Sequence, residues 1–215
     1  MSSPYNISEL YLRYPELQVV KDSISKAFFI LRDCIRVKGK ILICGNGGSA
    51  ADSEHMAGEF VKSFMIRRGL KKDFQDKLAE MYGRTESDKI ALSLHEGIKA
   101  FSLPSQISFL TAFSNDCDFR MAFAQQVYVL GDTKDVLVTF STSGNSENVI
   151  MALKVAGAIG MKRIFFTGEG GGLGASFAES VINVPATETY KVQEYHLPVY
   201  HALCAMVEEE FHGRK

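Results

Sequence analysis

His55 and Glu59 have residue types and a spacing that could support catalysis. They lie four residues apart in a segment with helical periodicity, so both side chains project from one helix face. An imidazole and a carboxylate can exchange protons near neutral pH, although such a pair is also a common surface hydrogen bond. Gln193 and His201 lie eight residues apart on one face of the last predicted helix; buried polar side chains with partners are the alternative there. His196 faces away from both and is interpreted as structural.

The helix that carries His55 follows a glycine-rich turn, Gly45-Asn46-Gly47-Gly48-Ser49, which itself follows an apolar segment. Glycines permit positive φ and a close approach of the backbone to a ligand. The free N–H groups and the dipole of the first helical turn favour an anion at that position. The turn lacks the Gly-Lys-Ser/Thr ending of a nucleotide-binding P-loop, and plain turn chemistry is the alternative.

A second turn after an apolar segment is rich in hydroxyl groups and contains Ser141, Thr142, Ser143 and Ser146. An N-cap needs only one hydroxyl, which Ser146 could supply. The additional hydroxyls therefore favour a bound phosphate, and the absence of a lysine favours a phosphomonoester over a nucleotide that is hydrolysed. A third glycine cluster, residues 167–175, is interpreted as a permissive loop.

Short apolar runs alternate with helical periods, which predicts one α/β domain over residues 1–215 with a mostly parallel sheet covered on both faces. An N-terminal helical segment, residues 1–38, precedes the sheet, with a break or helix start at Pro15. Its apolar stripe exceeds what one small sheet needs, which favours an oligomer. The predicted strands are 40–44, 98–103, 136–140, 163–167 and 181–184, and the predicted helices are 49–64, 105–114, 119–130, 146–159, 173–178 and 191–211.

Residues 66–96 are rich in charge and interrupt this alternation. A weak apolar stripe predicts one or two helices in this insertion. A solvated excursion is favoured over an active-site lid or an oligomer contact, but only slightly, because long insertions in compact domains are often functional.

Composition and charge exclude several classes of protein. The net charge of −1 attracts neither nucleic acid nor an anionic membrane, and the apolar runs are too short to span a bilayer. The N-terminus has no signal-peptide pattern. The four cysteines, Cys34, Cys44, Cys117 and Cys204, are scattered in apolar segments, which predicts buried free thiols and a cytoplasmic location.

Four segments, CGNGGSAAD, TFSTSGNSENVI, FFTGEGGG and VQEYHLPVYH, resemble the sugar isomerase (SIS) superfamily and, within it, the phosphoheptose isomerases. The resemblance covers nearly the whole chain apart from residues 66–96. It implies a flavodoxin-like three-layer sandwich with five parallel strands, and a homotetramer with shared active sites. It also implies conversion of sedoheptulose 7-phosphate to D-glycero-D-manno-heptose 7-phosphate through an enediol, an early step towards bacterial lipopolysaccharide and capsule heptose.

The resemblance also implies roles for individual residues. Glu59 is implied as the base that acts on carbon and His201 as the second acid or base. One Zn²⁺ per subunit is implied at His55, Glu59, Gln193 and His201, although glutamine is an uncommon zinc ligand. The predicted substrate-binding residues are Asn46, Gly47, Gly48, Ser49, Glu59, Asn115, Asp116, Ser141, Thr142, Ser143, Ser146 and Gln193.

Two departures from the family pattern leave the identity of the sugar open. One is the insertion, and the other is Thr189-Tyr190-Lys191 in place of a polar pair before the Gln193 helix. The alternatives are an isomerase of another phosphosugar, a phosphosugar-sensing regulator, and a non-catalytic scaffold that binds the bacterial replication initiator. Retention of the His55, Glu59, Gln193 and His201 set favours catalysis, since a scaffold does not need it.

Overall fold

The predicted α/β architecture is confirmed by the structure, a computed structural model that describes residues 6–213. Five parallel strands form one sheet in the order β2-β1-β3-β4-β5, and helices cover both of its faces. Because β2 and β3 lie on opposite sides of β1, the chain reverses its winding direction between β1 and β3. The strands are β1 (Ile41–Cys44), β2 (Ala100–Ser102), β3 (Val136–Phe140), β4 (Lys162–Thr167) and β5 (Ser180–Asn183).

The helices lie close to the predicted residue ranges. The predicted helix 119–130 begins with a 3₁₀ turn, Phe119–Met121, and the predicted helix 173–178 is a 3₁₀ helix, Leu173–Phe177. Pro15 begins a further 3₁₀ helix, Pro15–Val20, as the predicted break requires. The α-helices are α1 (Ser8–Arg13), α2 (Lys21–Arg36), α3 (Gly48–Val61), α4 (Lys72–Tyr82), α5 (Arg84–Ser93), α6 (Ile107–Asp116), α7 (Ala122–Leu130), α8 (Glu147–Ile159) and α9 (Thr189–His212).

Alternate side chains of the strands build two apolar cores. Ile41 and Ile43 point to one face, where α2, α3 and α9 pack, whereas Leu42 and Cys44 point to the other, where α7 and α8 pack. All four residues of β1 are fully buried, as expected for a central parallel strand covered on both sides. The sheet is therefore a rigid platform for the turns at its carboxyl edge.

Much of the apolar stripe of the N-terminal segment packs within the chain. Leu17, Ile24 and Leu31 are fully buried in the first core. These residues pack on the chain itself, because α2 lies along both α9 and β5, whereas Leu12 and Val19 of the same segment are exposed. The expectation that apolar residues of this segment contact other subunits stays a prediction.

The insertion forms a helical hairpin of α4 and α5. The two helices pack mainly on each other, no side chain of α4 is buried, and Ser87 is the buried residue of α5. An ion pair of 2.9 Å between Lys71 and Glu96 joins the two ends of the hairpin. The hairpin begins beyond the last turn of α3, away from the turns that begin α3 and α8.

Three of the four cysteines are buried free thiols, as predicted, but Cys117 is exposed. It follows α6, which has no fully buried side chain, although Leu110 of this helix packs against the second core. Within residues 6–213, no helix combines the length and the apolar character needed to cross a bilayer.

Candidate active site

The two predicted phosphate turns lie side by side at the carboxyl ends of β1 and β3, where the winding of the sheet reverses. Open α/β sheets bind ligands at this crevice. The side-chain amides of Asn46 and Asn148 exchange two hydrogen bonds of 2.9 Å and tie the first turn to the start of α8. The structure thus brings together two turns that are about a hundred residues apart in sequence.

The first turn depends on its glycines. Gly47 has a φ of 56°, and a Cβ atom on Gly48 would lie 2.6 Å from the amide nitrogen of Gln193. Ser49 is buried in the first turn of α3, and no side chain caps that helix. The helix start is therefore free of a competing side-chain acceptor, as an anion site requires.

In the second turn, the hydroxyl groups bond to one another instead of capping the helix. Ser141 Oγ lies 2.9 Å from Ser146 Oγ, and α8 has no side-chain cap. Ser146 occupies the N-cap position of α8, but its hydroxyl group does not cap the helix. Ser143 is exposed, and its Oγ accepts a hydrogen bond from Asn145 N at 3.2 Å. Thr142 is partly exposed, so both side chains can reach a ligand in the crevice.

The third glycine cluster supports this second turn rather than forming a free loop. A Cβ atom on Gly144, where φ is 70°, would lie 2.1 Å from the carbonyl oxygen of Gly171. Gly174 N donates to the carbonyl of Gly144, and Leu173 N donates to the side chain of Asn145. Glycine at position 144 thus allows the two loops to pack together.

His55, Glu59 and His201 are brought together between α3 and α9. Glu59 Oε1 lies 3.2 Å from His55 Nε2, which lies 3.5 Å from His201 Nε2. Glu59 is buried, whereas the side chain of His55 is about half exposed (46%). Lys62 Nζ donates to the other oxygen of Glu59 at 2.7 Å, and the sequence analysis did not identify this lysine.

Tyr200 and Asp52 hold His55 from the opposite side. Tyr200 OH lies 2.9 Å from His55 Nδ1 and 3.5 Å from Asp52 Oδ1. Burial raises the pKa of Tyr200, so the phenol keeps its proton near neutral pH. The phenol has one proton, which Asp52 Oδ1 and His55 Nδ1 share as alternative acceptors. The network therefore links His55 to Asp52 through Tyr200.

The same environment favours neutral His201. Burial lowers the pKa of His201, and the His55 imidazole lowers it further against the opposing attraction of Glu59. Burial also raises the pKa of Asp52 to about 6, against the hydrogen bond from Tyr200. A neutral imidazole beside a carboxylate can pass a proton to or from a substrate oxygen.

Gln193 is not placed with the two imidazoles. Its amide lies against Gly48 at the start of α3, whereas His201 is eight residues, about 12 Å, further along the axis of α9. Within residues 6–213, no group of three or more His, Cys, Asp and Glu side chains stands in an arrangement that could hold a metal ion. The residue types are ones that zinc accepts, and the pairs Glu59–His55 and His55–His201 are each close. The side chains together do not form a complete set of ligands around one point.

The remaining predicted residues lie outside this cluster. Asn115 and Asp116 are exposed at the end of α6, where the amide of Asn115 donates to Asp116 at 2.9 Å. His196 is fully buried, with Nε2 lying 3.4 Å from the carbonyl of Thr167. Burial lowers the pKa of His196 to about 4, which agrees with its structural interpretation.

Comparison with known proteins identifies relatives over most of the chain. The sequence profile of the SIS domain matches residues 16–90 and 94–168. A phosphoheptose isomerase of Campylobacter jejuni is 36% identical over 194 residues, which cover 90% of both chains. One of Desulfovibrio desulfuricans is 39% identical over 81% of this chain and 70% of its own. The solved phosphoheptose isomerase of Neisseria gonorrhoeae superposes with a TM-score of 0.73 at 32% identity, covering 94% of this chain and 95% of its own.

Proposed function

Because this chain belongs to the phosphoheptose isomerase family of SIS domain proteins, we propose that it converts sedoheptulose 7-phosphate to D-glycero-D-manno-heptose 7-phosphate. It is a phosphosugar isomerase, and its product serves bacterial heptose biosynthesis for lipopolysaccharide or capsule. Three buried free thiols support a reducing, cytoplasmic setting for the reaction.

The chemistry requires one proton to move between carbons and one between oxygens. A base removes a proton from C1 of the ketose, an enediol forms, and a proton returns to C2 while the hydroxyl proton of O1 is lost and O2 gains one. Glu59 is the carbon base in this proposal, and His201 exchanges the proton on oxygen. Lys62 and His55 hold the two oxygens of Glu59 in place.

The cluster of Glu59, His55 and His201 is the observation that carries this proposal, since it combines a buried carboxylate with an imidazole of lowered pKa. Incubation with sedoheptulose 7-phosphate, followed by NMR, tests it directly. Appearance of the aldose signal supports the proposal. Conversion of another ketose phosphate in its place would retain the reaction class and change the substrate.

Ser143→Ala tests the phosphate turn. Loss of a hydrogen bond to a charged group costs about 1.5–3 kcal/mol, which corresponds to an increase in KM of about 10- to 150-fold. Ser143 is exposed and, among residues 6–213, bonds only within its own turn, so the fold should persist. Ser93→Ala is the control, because that hydroxyl bonds a helix carbonyl of the hairpin and no other described group. An unchanged KM in Ser143→Ala would mean that this hydroxyl does not bind the phosphate.

We also propose that His55, Glu59 and His201 rearrange to bind a zinc ion, supported by their residue types and by the distances of 3.2 and 3.5 Å around His55. When bound, zinc would polarise the substrate oxygens. Gln193 would have to leave Gly48 to join this set, and its present position suits the phosphate end of the substrate better.

Metal analysis tests the zinc proposal independently of activity. The purified protein is expected to contain about one zinc per chain, and His201→Ala should lose most of it. His212→Ala is the control, since that histidine lies at the far end of α9. A wild-type protein loaded in excess zinc that retains none after dialysis would contradict the proposal.

We propose a homotetramer with shared active sites. Ser49 and Glu59 are separated by ten residues of α3, about 15 Å along the helix axis. A neighbouring subunit that contributed a phosphate-binding group or a base to the site would shorten the distance between phosphate and base. Leu12, Ile107 and Leu173 are exposed apolar residues available for such contacts. Light scattering should give the mass of four chains, and the mass of one chain at micromolar concentration would contradict the tetramer.

A further inference from the structure

A second cavity lies at the edge of the sheet opposite the phosphate turns. Its volume is about 580 Å³, and its lining includes Gly39 and Lys99, which directly precede the region where β1 and β2 begin. The phosphate turns follow the other ends of β1 and β3. The cavity is therefore separate from the candidate active site, and its size is within the range of small-molecule sites.

Positive charge dominates the lining of this cavity. Arg36, Lys38, Lys71 and Lys99 contribute cations, and Glu96 is the one carboxylate among the lining residues. Lys71 is paired with Glu96 at 2.9 Å, and Arg36 is paired with Glu210. Lys38 and Lys99 have no ion-pair partner among residues 6–213. Two uncompensated ammonium groups thus border one concave surface, as expected for a site that binds an anion.

The backbone at Lys38 provides a second observation. Lys38 has a φ of 59°, and it is the one residue other than glycine with positive φ among those described. It lies just after α2, a position that favours glycine because a side chain is strained there. The adjacent Gly39 is needed for packing, since a Cβ atom would lie 2.3 Å from the carbonyl of Lys134. The strained position therefore carries a lysine at the cavity rim, which suggests a functional constraint.

The cavity also has apolar walls. Ile35, Ile98 and Phe211 line it together with the cations. Burial lowers the pKa of His212, which also lines it, and the positive charges of Arg68 and Lys71 contribute in the same direction against Glu96 and Glu208. A bare phosphate would satisfy the lysines and leave the aromatic wall and most of the volume unused. A ligand with both a phosphate and a planar ring uses all of these features.

We propose that this cavity is a second binding site for a nucleoside phosphate, with the phosphate held by Lys38 and Lys99 and the base packed on Phe211. The phosphate also competes with Glu96 for Lys71. Because Lys71 and Glu96 hold the two ends of the α4–α5 hairpin together, occupancy of the cavity loosens the base of that hairpin. The site does not depend on the isomerase assignment.

Calorimetric titration with ADP in EDTA, and with sodium phosphate in a separate arm, tests the proposal. The background is the Ser141→Ala/Ser143→Ala variant, in which the phosphate turns bind the probe more weakly and compete less with the cavity. We expect one ADP per chain, with binding weakened at least tenfold by adding Lys38→Ala and Lys99→Ala. The matched control adds Lys26→Ala and Lys162→Ala, two exposed lysines with no ion pair among the described residues, and should bind ADP like the background protein.

The absence of ADP binding at millimolar concentration would overturn the proposal, and so would equal ADP binding with and without Lys38 and Lys99. Phosphate binding as tight as that of ADP would also overturn it, because the ring would then contribute nothing. Unchanged isomerase activity when Lys38→Ala and Lys99→Ala are introduced into the otherwise wild-type chain shows that the fold is intact.

Discussion

Replacement of Glu59 with glutamine is expected to lower kcat by about 10²- to 10⁴-fold, the usual contribution of a positioned general base. Glutamine keeps the size of the side chain and one acceptor oxygen, but it cannot take a proton from carbon. Binding of the phosphosugar should persist, because Ser143 and the two helix starts lie at the other end of α3. The expected signature is therefore a loss in kcat with little change in KM.

Exchange of solvent deuterium into the sugar at C1 or C2 isolates the proton-transfer step. Glu54→Gln is the matched control, since Glu54 lies on the same helix, is exposed, and accepts a hydrogen bond from Ser105. Exchange at the wild-type rate in Glu59→Gln would show that another group is the base. The zinc content of Glu59→Gln then distinguishes a ligand role from a base role, since loss of metal with normal exchange indicates a ligand.

The sequence was sufficient to predict the sheet and both turns, because these depend on local signals. Buried parallel strands are short and continuously apolar, and glycines and hydroxyl groups mark the turns that follow them. Helix ends shifted by only a few residues, as at α3, which ends at Val61 instead of residue 64. Helical spacing also placed His55 and Glu59 on one face correctly.

Contacts between distant elements could not be predicted in this way. The pairing of Tyr200 with His55 spans 145 residues and depends on how α9 lies against α3. The position of Gln193 has the same origin: α3 and α9 run side by side, so that Gln193 lies beside Gly48 and His201 lies beside His55. Spacing along α9 gives the axial distance of about 12 Å between Gln193 and His201, but it does not tell which residues of α3 lie beside each of them.

The insertion also misled sequence reasoning about polar residues. Arg68 belongs to a charge-rich segment interpreted as solvated, yet it is buried, and its guanidinium donates to the carbonyls of Phe60 and Glu59 at 3.0 and 3.1 Å. It therefore anchors the end of the helix that carries the candidate base. Charged side chains are usually exposed to solvent, but one that has a buried partner of opposite charge can itself be buried. For Arg68 that partner is Glu208, at 3.1 Å.

Replacement of Glu208 with glutamine should therefore lower the free energy of unfolding by about 3–5 kcal/mol, the usual cost of removing one partner from a buried ion pair. The carboxylate accepts hydrogen bonds from the backbone N–H groups of Phe64, Met65 and Ile66 at 2.8, 2.6 and 2.9 Å. A carboxylate only accepts, which suits three donors and a guanidinium. The amide nitrogen of glutamine would instead face N–H groups and leave Arg68 buried without a countercharge.

Thermal and urea unfolding measure this effect, and Glu210→Gln provides the control two residues away on α9. Glu210 forms an exposed ion pair with Arg36 at 2.5 Å, and pairs of that kind contribute less than about 1 kcal/mol. For a chain of this size, the expected loss corresponds to a decrease in Tm of about 6–20 °C in Glu208→Gln. Equal stability of the two variants would mean that the Arg68–Glu208 pair does not anchor α3. A large loss confined to Glu208→Gln would instead show that the buried Arg68–Glu208 pair stabilises the fold at the end of α3 that carries Glu59.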